Sequence, residues 1–88
     1  MAKENNFINL VFVVAGEDVV LDKLNIHEPL DAARSKALAQ SGNTSRPHKD
    51  WEIRTESGVL LNPSDKLENL GLRPGAKLFL SLAVGAGG

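Results

Sequence analysis

Two glycines at the end of the sequence, Gly87 and Gly88, are the clearest sign of covalent chemistry in this chain. Glycine has no Cβ, so the pair is thin and flexible enough to enter a narrow channel that excludes other residues. A carboxylate on Gly88 is sterically unhindered, which suits its activation as an acyl group and a later attack by an amine, hydroxyl or thiol. The chain would then supply the electrophile, and the catalytic groups would belong to other proteins.

Side chains that could catalyse a reaction themselves are scarce. The sequence has no cysteine and no tyrosine, and its two histidines, His27 and His48, are well separated. Thiol nucleophiles, thiolate zinc sites, iron–sulfur clusters and disulfides are therefore excluded, and no nucleophile–base pair is apparent. We expect no enzymatic activity, no catalytic residue, no metal site and no cofactor, with both histidines on the surface.

Composition is typical of one small folded domain. The 88 residues are 42% hydrophobic and 24% charged, and a net charge of −1 gives no general attraction to nucleic-acid phosphates or an anionic membrane. The longest apolar run, Leu10–Ala15, is far shorter than the about 20 residues that span a bilayer. A secretion signal over Phe7–Ala15 is disfavoured, because Glu4 and Asn9 interrupt its charge and apolar pattern. We expect a cytoplasmic protein with no nucleic-acid or membrane partner.

The first half of the domain is predicted to form a hairpin. After a loose lead over residues 1–6, the apolar alternation of residues 7–14 predicts a strand, and Gly16 suits the following turn. Val19–Leu24 is predicted to return, but its register is in conflict. Burying one set of its apolar residues also turns Asp22 inward, and burying the other set brings Lys23. A β-bulge would resolve this conflict.

A helix is predicted from Pro29 to Ser41. Proline suits the first helical position, Asp31 complements the helix dipole, and Gly42 is a plausible C-terminal cap. Four residues recur at helical spacing and are expected to face the sheet: Leu30, Ala33, Ala37 and Leu38. Three polar residues fall elsewhere on the helix: Arg34, Lys36 and Gln40.

The second half is predicted to add strands to the same sheet. A loop over residues 41–50 leads to a third strand with Trp51 and Ile53 inward, and Val59–Leu61 is predicted to form a short fourth strand. A brief helical turn through Leu67 and Leu70 precedes the last strand, Lys77–Ala83. This strand places Leu78, Leu80 and Leu82 on one face and is expected to bury Leu78 and Leu80. This order predicts an α+β roll over residues 7–83, followed by a flexible tail over residues 84–88.

Three parts of the sequence carry a resemblance to a known family: Trp51–Leu61, Leu70–Leu82 and the terminal Gly87–Gly88. Together they resemble ubiquitin-like proteins, and more narrowly the small bacterial ubiquitin-like modifiers found beside activating- and conjugating-enzyme genes. The resemblance covers about residues 7–88. It implies the β-grasp fold, in which one helix packs across a mixed sheet. It also implies adenylation of Gly88 by an ATP-dependent activating enzyme, attachment to target proteins with a conjugating enzyme, and release by a deconjugating peptidase.

The resemblance also suggests which residues would contact these partners. Phe79 and Ser81 are expected to face outward on the last strand, beside Arg54 on the third strand, where Glu52 and Arg54 replace half of ubiquitin's apolar patch. Ubiquitin's tail carries arginines, whereas this chain has Ala83 and Val84 followed by Gly85 and Ala86. A cognate activating enzyme would therefore grip Ala83 and Val84 by backbone and apolar contacts.

Two other functions share this fold and are not separated by the sequence. A sulfur carrier would convert the Gly88 carboxylate to a thiocarboxylate, and a non-conjugated adaptor would use its sheet face alone. Length and the loop over residues 41–50 favour the modifier over the sulfur carrier. The adaptor would leave the glycine pair unexplained.

Overall fold

The computed structural model describes residues 6–83. The elements of this part are strands β1 (Phe7–Val14) and β2 (Glu17–Asn25), helix α1 (Leu30–Gln40), strands β3 (Trp51–Thr55) and β4 (Ala76–Leu82), and 3₁₀ turns at His48–Asp50 and Leu67–Asn69. The predicted tail over residues 84–88 and most of the predicted lead lie outside the described residues.

The four strands form one mixed sheet in the order β2-β1-β4-β3. β1 runs antiparallel to β2 and parallel to β4, and β4 runs antiparallel to β3. Helix α1 connects β2 to the second half of the chain and covers one face of the sheet. This arrangement is the ubiquitin-like β-grasp, and it confirms the predicted α+β class.

The core lies between α1 and the inner face of the sheet. The predicted alternation of β1 is correct, since Leu10, Phe12 and Val14 are fully buried and Ile8 packs against the core. Ile53, Leu78 and Leu80 are buried as expected, whereas Leu82, predicted on the same face of β4, is 42% exposed near the end of the strand. Trp51 is only half-buried against the core, and its Nε1 is a buried donor with no acceptor among residues 6–83.

A β-bulge resolves the register of β2, as predicted. Ile8 pairs with Leu24 but Leu10 pairs with Leu21, so two β2 residues, Asp22 and Lys23, stand opposite one β1 residue. The bulge lets Val19, Leu21 and Leu24 all face the core while Asp22 and Lys23 stay exposed.

Helix α1 differs from its prediction in one important side chain. The four predicted apolar residues are buried, Asp31 lies in the first turn, and the Asn43 N–H closes the helix on Leu38 O beyond Gly42, whose φ is +77°. Pro29 stands one residue before the helix, in extended conformation. Arg34, predicted to lie away from the core, is 5% exposed. It is buried because its guanidinium finds acceptors in Asp31, one turn earlier on the helix, and in the Trp51 carbonyl of β3.

The predicted fourth strand over Val59–Leu61 is wrong. This segment makes a single bridge, between Leu60 and Arg54, with bonds from Leu61 N to Ile53 O and from Thr55 N to Val59 O. It covers the edge of β3 but leaves the Val59 and Leu60 side chains exposed. Three apolar residues with one face to bury are too few to extend the ladder.

Candidate functional site

The base of the predicted tail is fixed by a hydrogen bond beyond the end of β4. Ala83 is half-buried, and its N–H donates to the carbonyl of Asp50 at 2.9 Å. The residue after β4 is thus held to the residue that precedes β3. Val84, Gly87 and Gly88 lie outside the described residues, so their roles remain predictions.

A buried arginine holds the segment that anchors Ala83. Arg34 Nη1 donates to the carbonyl of Trp51 at 2.7 Å, and Arg34 Nε donates to Asp31 Oδ1 at 3.1 Å. His48 Nδ1 lies 2.7 Å from the same Asp31 oxygen. His48 is exposed, as predicted, but it belongs to this network rather than standing alone. Helix α1, the 3₁₀ turn before β3 and the start of β3 are therefore tied together beside the Asp50 carbonyl.

The electrostatics of this network favour the ionised form of Asp31. Partial burial of the carboxyl raises its pKa, but hydrogen bonds and charge interactions with Arg34 and His48 outweigh that effect. The net result is a pKa of Asp31 below its ordinary value. The carboxylate therefore stabilises the network at neutral pH.

The outer face of the sheet presents the predicted contact residues in one row. Phe79 pairs with Arg54 on one side and with Val13 on the other, and Leu60 bridges to Arg54. Phe79 is 38% exposed and faces outward, as expected. Ser81 is also exposed, in register with Glu52. The structure thus brings Phe79, Ser81 and Arg54 onto one surface.

Charged residues on this face pair with one another. Arg54 Nη2 lies 3.3 Å from Glu52 Oε1, and Arg54 Nη1 donates to the Gly58 carbonyl at 3.1 Å. Lys77 Nζ lies 3.7 Å from Asp18 Oδ2 across strand β1. Because each cation is paired with a carboxylate, the outer face of the sheet around Phe79 carries no strong net charge.

An apolar continuation toward β2 was not anticipated from the sequence. Val11 and Val13 are half-buried on the outer face, and Val20, the partner of Val11, is 57% exposed. The apolar surface therefore extends from Phe79 across β1 to β2, rather than across β3. The signal was present in β1, where valines occupy both faces of the alternation, which is typical of a strand partly covered on both sides.

Residues 6–83 contain neither a metal-binding cluster nor a membrane-spanning helix. No group of three or more histidine, cysteine, aspartate or glutamate side chains in this part could hold a metal ion. None of its helices has the length and apolar character needed to cross a membrane.

Comparison with known proteins places the sequence in a family. A family model described as "Protein of Unknown function (DUF2604)" matches residues 3–88. The chain belongs to this family. It is also 35% identical over 81 residues to "Uncharacterized protein y4jI" of Sinorhizobium fredii, covering 92% of this chain. The chain spans about 62% of the length of that relative.

Solved structures agree with the β-grasp assignment. Caldiarchaeum subterraneum ubiquitin superposes with a TM-score of 0.70 at 22% identity, covering 88% of this chain and 94% of its own. A structure described as "Molecular Mimicry of SUMO promotes DNA repair" gives a TM-score of 0.76 at 15% identity, covering 91% and 96%. A protein designed de novo on the basis of ubiquitin gives 0.78 at 19% identity, covering 97% and 99%. At these identities the likeness establishes a ubiquitin-like fold.

Proposed function

We propose that this chain is a bacterial ubiquitin-like protein modifier, activated at the Gly88 carboxylate by an ATP-dependent activating enzyme and conjugated to target proteins in the cytoplasm. One observation carries the proposal: a glycine pair follows the last strand of a ubiquitin-like fold within five residues of Ala83, whose N–H is bonded to the Asp50 carbonyl. The proposal requires a free carboxylate on Gly88, whether Gly88 is the encoded end or is exposed by a peptidase.

The chemistry divides into four steps. The Gly88 carboxylate attacks the α-phosphorus of ATP, which forms an acyl adenylate and releases pyrophosphate. A thiolate of the activating enzyme then attacks the acyl carbon, and AMP leaves. A thiolate of the conjugating enzyme next displaces the thiolate of the activating enzyme from the acyl carbon. Finally an amine or hydroxyl of the target attacks, loses its proton and displaces the second thiolate, which forms an amide or ester. The modifier supplies only the acyl group, in keeping with its lack of cysteine and tyrosine.

Recognition by the enzymes would use the surface beside β4. Phe79 is a half-exposed aromatic residue on the strand that leads to the tail, and exposed aromatic residues often anchor protein interfaces. Ser81 and Arg54 flank it, and Ala83 marks the fixed point from which the tail departs. An enzyme could therefore bind this face and receive the tail in a defined direction.

The test is attachment in the cells from which the gene comes. An N-terminally tagged protein is expressed there, purified under denaturing conditions and analysed by mass spectrometry for Gly88 joined to another chain. The comparison variants are a deletion of Gly87–Gly88 and the substitution Gly88→Val, which crowds the acyl carbon. Gly85→Ala is the matched control, because it changes a tail glycine away from the reacting carboxyl.

Each outcome assigns a function. Adducts through Gly88 that the control retains and both other variants lose would support the modifier. An exchange of oxygen for sulfur at Gly88 in place of protein adducts would identify the sulfur carrier instead. A chain that stays unmodified in those cells would favour the adaptor, and the proposal would be wrong.

A further inference from the structure

An open cleft of about 550 Å³ lies at the end of the sheet where β1 begins. It is lined by Phe7, Ile8, Asn9, Lys23 and Pro74. β4 pairs with β1 only from Leu10 onward, so the first three residues of β1 have no β4 residue in register beside them. The cleft occupies the space that this staggered start leaves.

The backbone around the cleft is built around Asn9. The Asn9 side-chain oxygen accepts a hydrogen bond from the Lys23 N–H at 3.2 Å, and the Asn9 carbonyl accepts one from the Gly75 N–H at 2.7 Å. Lys23 lies in the bulge with a backbone φ of +58°, a left-handed conformation that residues other than glycine rarely adopt. Such local strain persists where surrounding contacts enforce it, and it is common at binding sites.

The cleft combines one cation with apolar walls. Lys23 is its one charged lining residue, and no acidic side chain in residues 6–83 lies within ion-pair distance of it. Phe7 is 50% exposed, and Ile8 and Pro74 complete the apolar surface. By contrast, Lys36 and Lys77 each pair with a carboxylate. A ligand that matches this cleft carries a carboxylate on a large apolar body.

We infer that this cleft binds a partner's peptide segment in which an acidic residue directly follows a large apolar residue. The apolar side chain rests on Phe7 and Pro74, and the carboxylate lies beside the Lys23 ammonium. β1 and β4 are parallel, so the cleft lies about 20 Å from the end of β4, given a rise of about 3.3 Å per residue. A peptide bound there leaves Phe79 and Ala83 accessible, so this site is independent of the proposed conjugation.

The experiment is an NMR titration of the ¹⁵N-labelled full chain with two blocked peptides, acetyl-Leu-Phe-Glu-amide and acetyl-Leu-Phe-Gln-amide. We expect saturable shifts of the Asn9, Lys23 and Gly75 amide signals. An exposed ion pair contributes about 0.2–1 kcal/mol, so the Glu peptide binds up to about fivefold more tightly than the Gln peptide. Lys23→Asn removes the charge, and asparagine tolerates the left-handed backbone. This variant loses the preference, whereas the control Lys66→Asn, outside the cleft, keeps it.

Several results would overturn the inference. Equal binding of the two peptides, or a preference that survives in the Lys23→Asn variant, would remove the charge from recognition. Shifts of the same signals with protein concentration alone would make a second copy the occupant. Binding that appears only after residues 1–5 are deleted would make the start of this chain the occupant. If the NMR spectrum shows that Lys23→Asn does not fold, Lys23→Gly takes its place, because glycine readily adopts the same positive φ. This variant must also lose the preference for the Glu peptide over the Gln peptide.

Discussion

Replacing Arg34 by methionine tests whether the buried network beside Ala83 holds the helix to the sheet. Methionine keeps much of the apolar stem of arginine but removes its five N–H donors. Arg34 is 5% exposed, so water cannot fully replace the guanidinium as a donor to its two acceptors. The Trp51 carbonyl loses a charged donor at 2.7 Å, and Asp31 loses the guanidinium.

The expected loss of stability follows from the environments of the two acceptors. A hydrogen bond to a charged group contributes about 1.5–3 kcal/mol to the free energy of unfolding. The pair with Asp31 contributes less, about 0.5–1 kcal/mol, because that side chain is 39% exposed and keeps its contact with His48. We therefore expect Arg34→Met to lower the free energy of unfolding by about 2–4 kcal/mol.

Urea unfolding followed by circular dichroism measures this loss, with Lys36→Met as the matched control. Lys36 lies on the same helix, its side chain is 52% exposed, and its Nζ lies 3.7 Å from Glu28 Oε1. The control is expected to change stability by about 0.5 kcal/mol or less. A thermal melt also separates the two variants, because in a domain of this size a loss of about 1 kcal/mol lowers Tm by about 4–8 °C. If Arg34→Met unfolds at the same urea concentration as Lys36→Met, the network does not hold the helix to the sheet.

Three further predictions concern charge, surface and tail. Because the pKa of Asp31 is lowered in the folded state, we expect wild type to be more stable than Asp31→Asn above the ordinary aspartate pKa of about 3.9. Urea unfolding should show this difference in stability disappearing as the pH falls through the folded-state pKa of Asp31. A difference that grows in acid would contradict the prediction. If the proposed activating enzyme binds this face, Phe79→Ala is expected to weaken that binding with Tm nearly unchanged, whereas the buried control Phe12→Ala costs about 3–5 kcal/mol of stability; a comparable loss from Phe79→Ala would place its ring in the core. Deleting Gly87–Gly88 should change the free energy of unfolding by less than about 0.5 kcal/mol, and a larger loss in thermal or urea unfolding would mean that the tail packs on the domain.

The elements that follow strong apolar alternation could be predicted from the sequence. β1 and β4 were correct in position and inward face, since burial of alternate large residues leaves one workable register. In β2 the two patterns conflicted, and the sequence indicated a bulge without showing where it lay. Its place depends on Asn9 of the neighbouring strand, whose side chain accepts the Lys23 N–H. The apolar pattern of β2 alone carries no information on this contact with β1.

The errors arose where tertiary contacts outweigh residue type. Arg34 was assigned to a polar face, because its acceptors, Asp31 and the Trp51 carbonyl, come together only in the folded chain. Val59–Leu61 has strand-forming residues, but it meets β3 at a single bridge and stays largely exposed.

Part of the outer face of the sheet could be predicted from the sequence, although the roles of its residues remain predictions. The outward direction of Phe79 and Ser81 followed from alternation on the last strand, and the structure confirms it. The extension of the apolar surface to Val20 could not be predicted, because it depends on which strand lies beside β1 and in what register.

The central position of β4 has a mechanical consequence. β4 is held between β1 and β3, with five register pairs on each side. Tension applied through the residues after Ala83 acts along the strand, roughly perpendicular to the hydrogen bonds, so both ladders are loaded in shear and must rupture together. Tension applied across the edge strand β2 would instead open one ladder bond by bond. A motor that pulled on the tail would therefore work against the direction in which this fold is hardest to unravel.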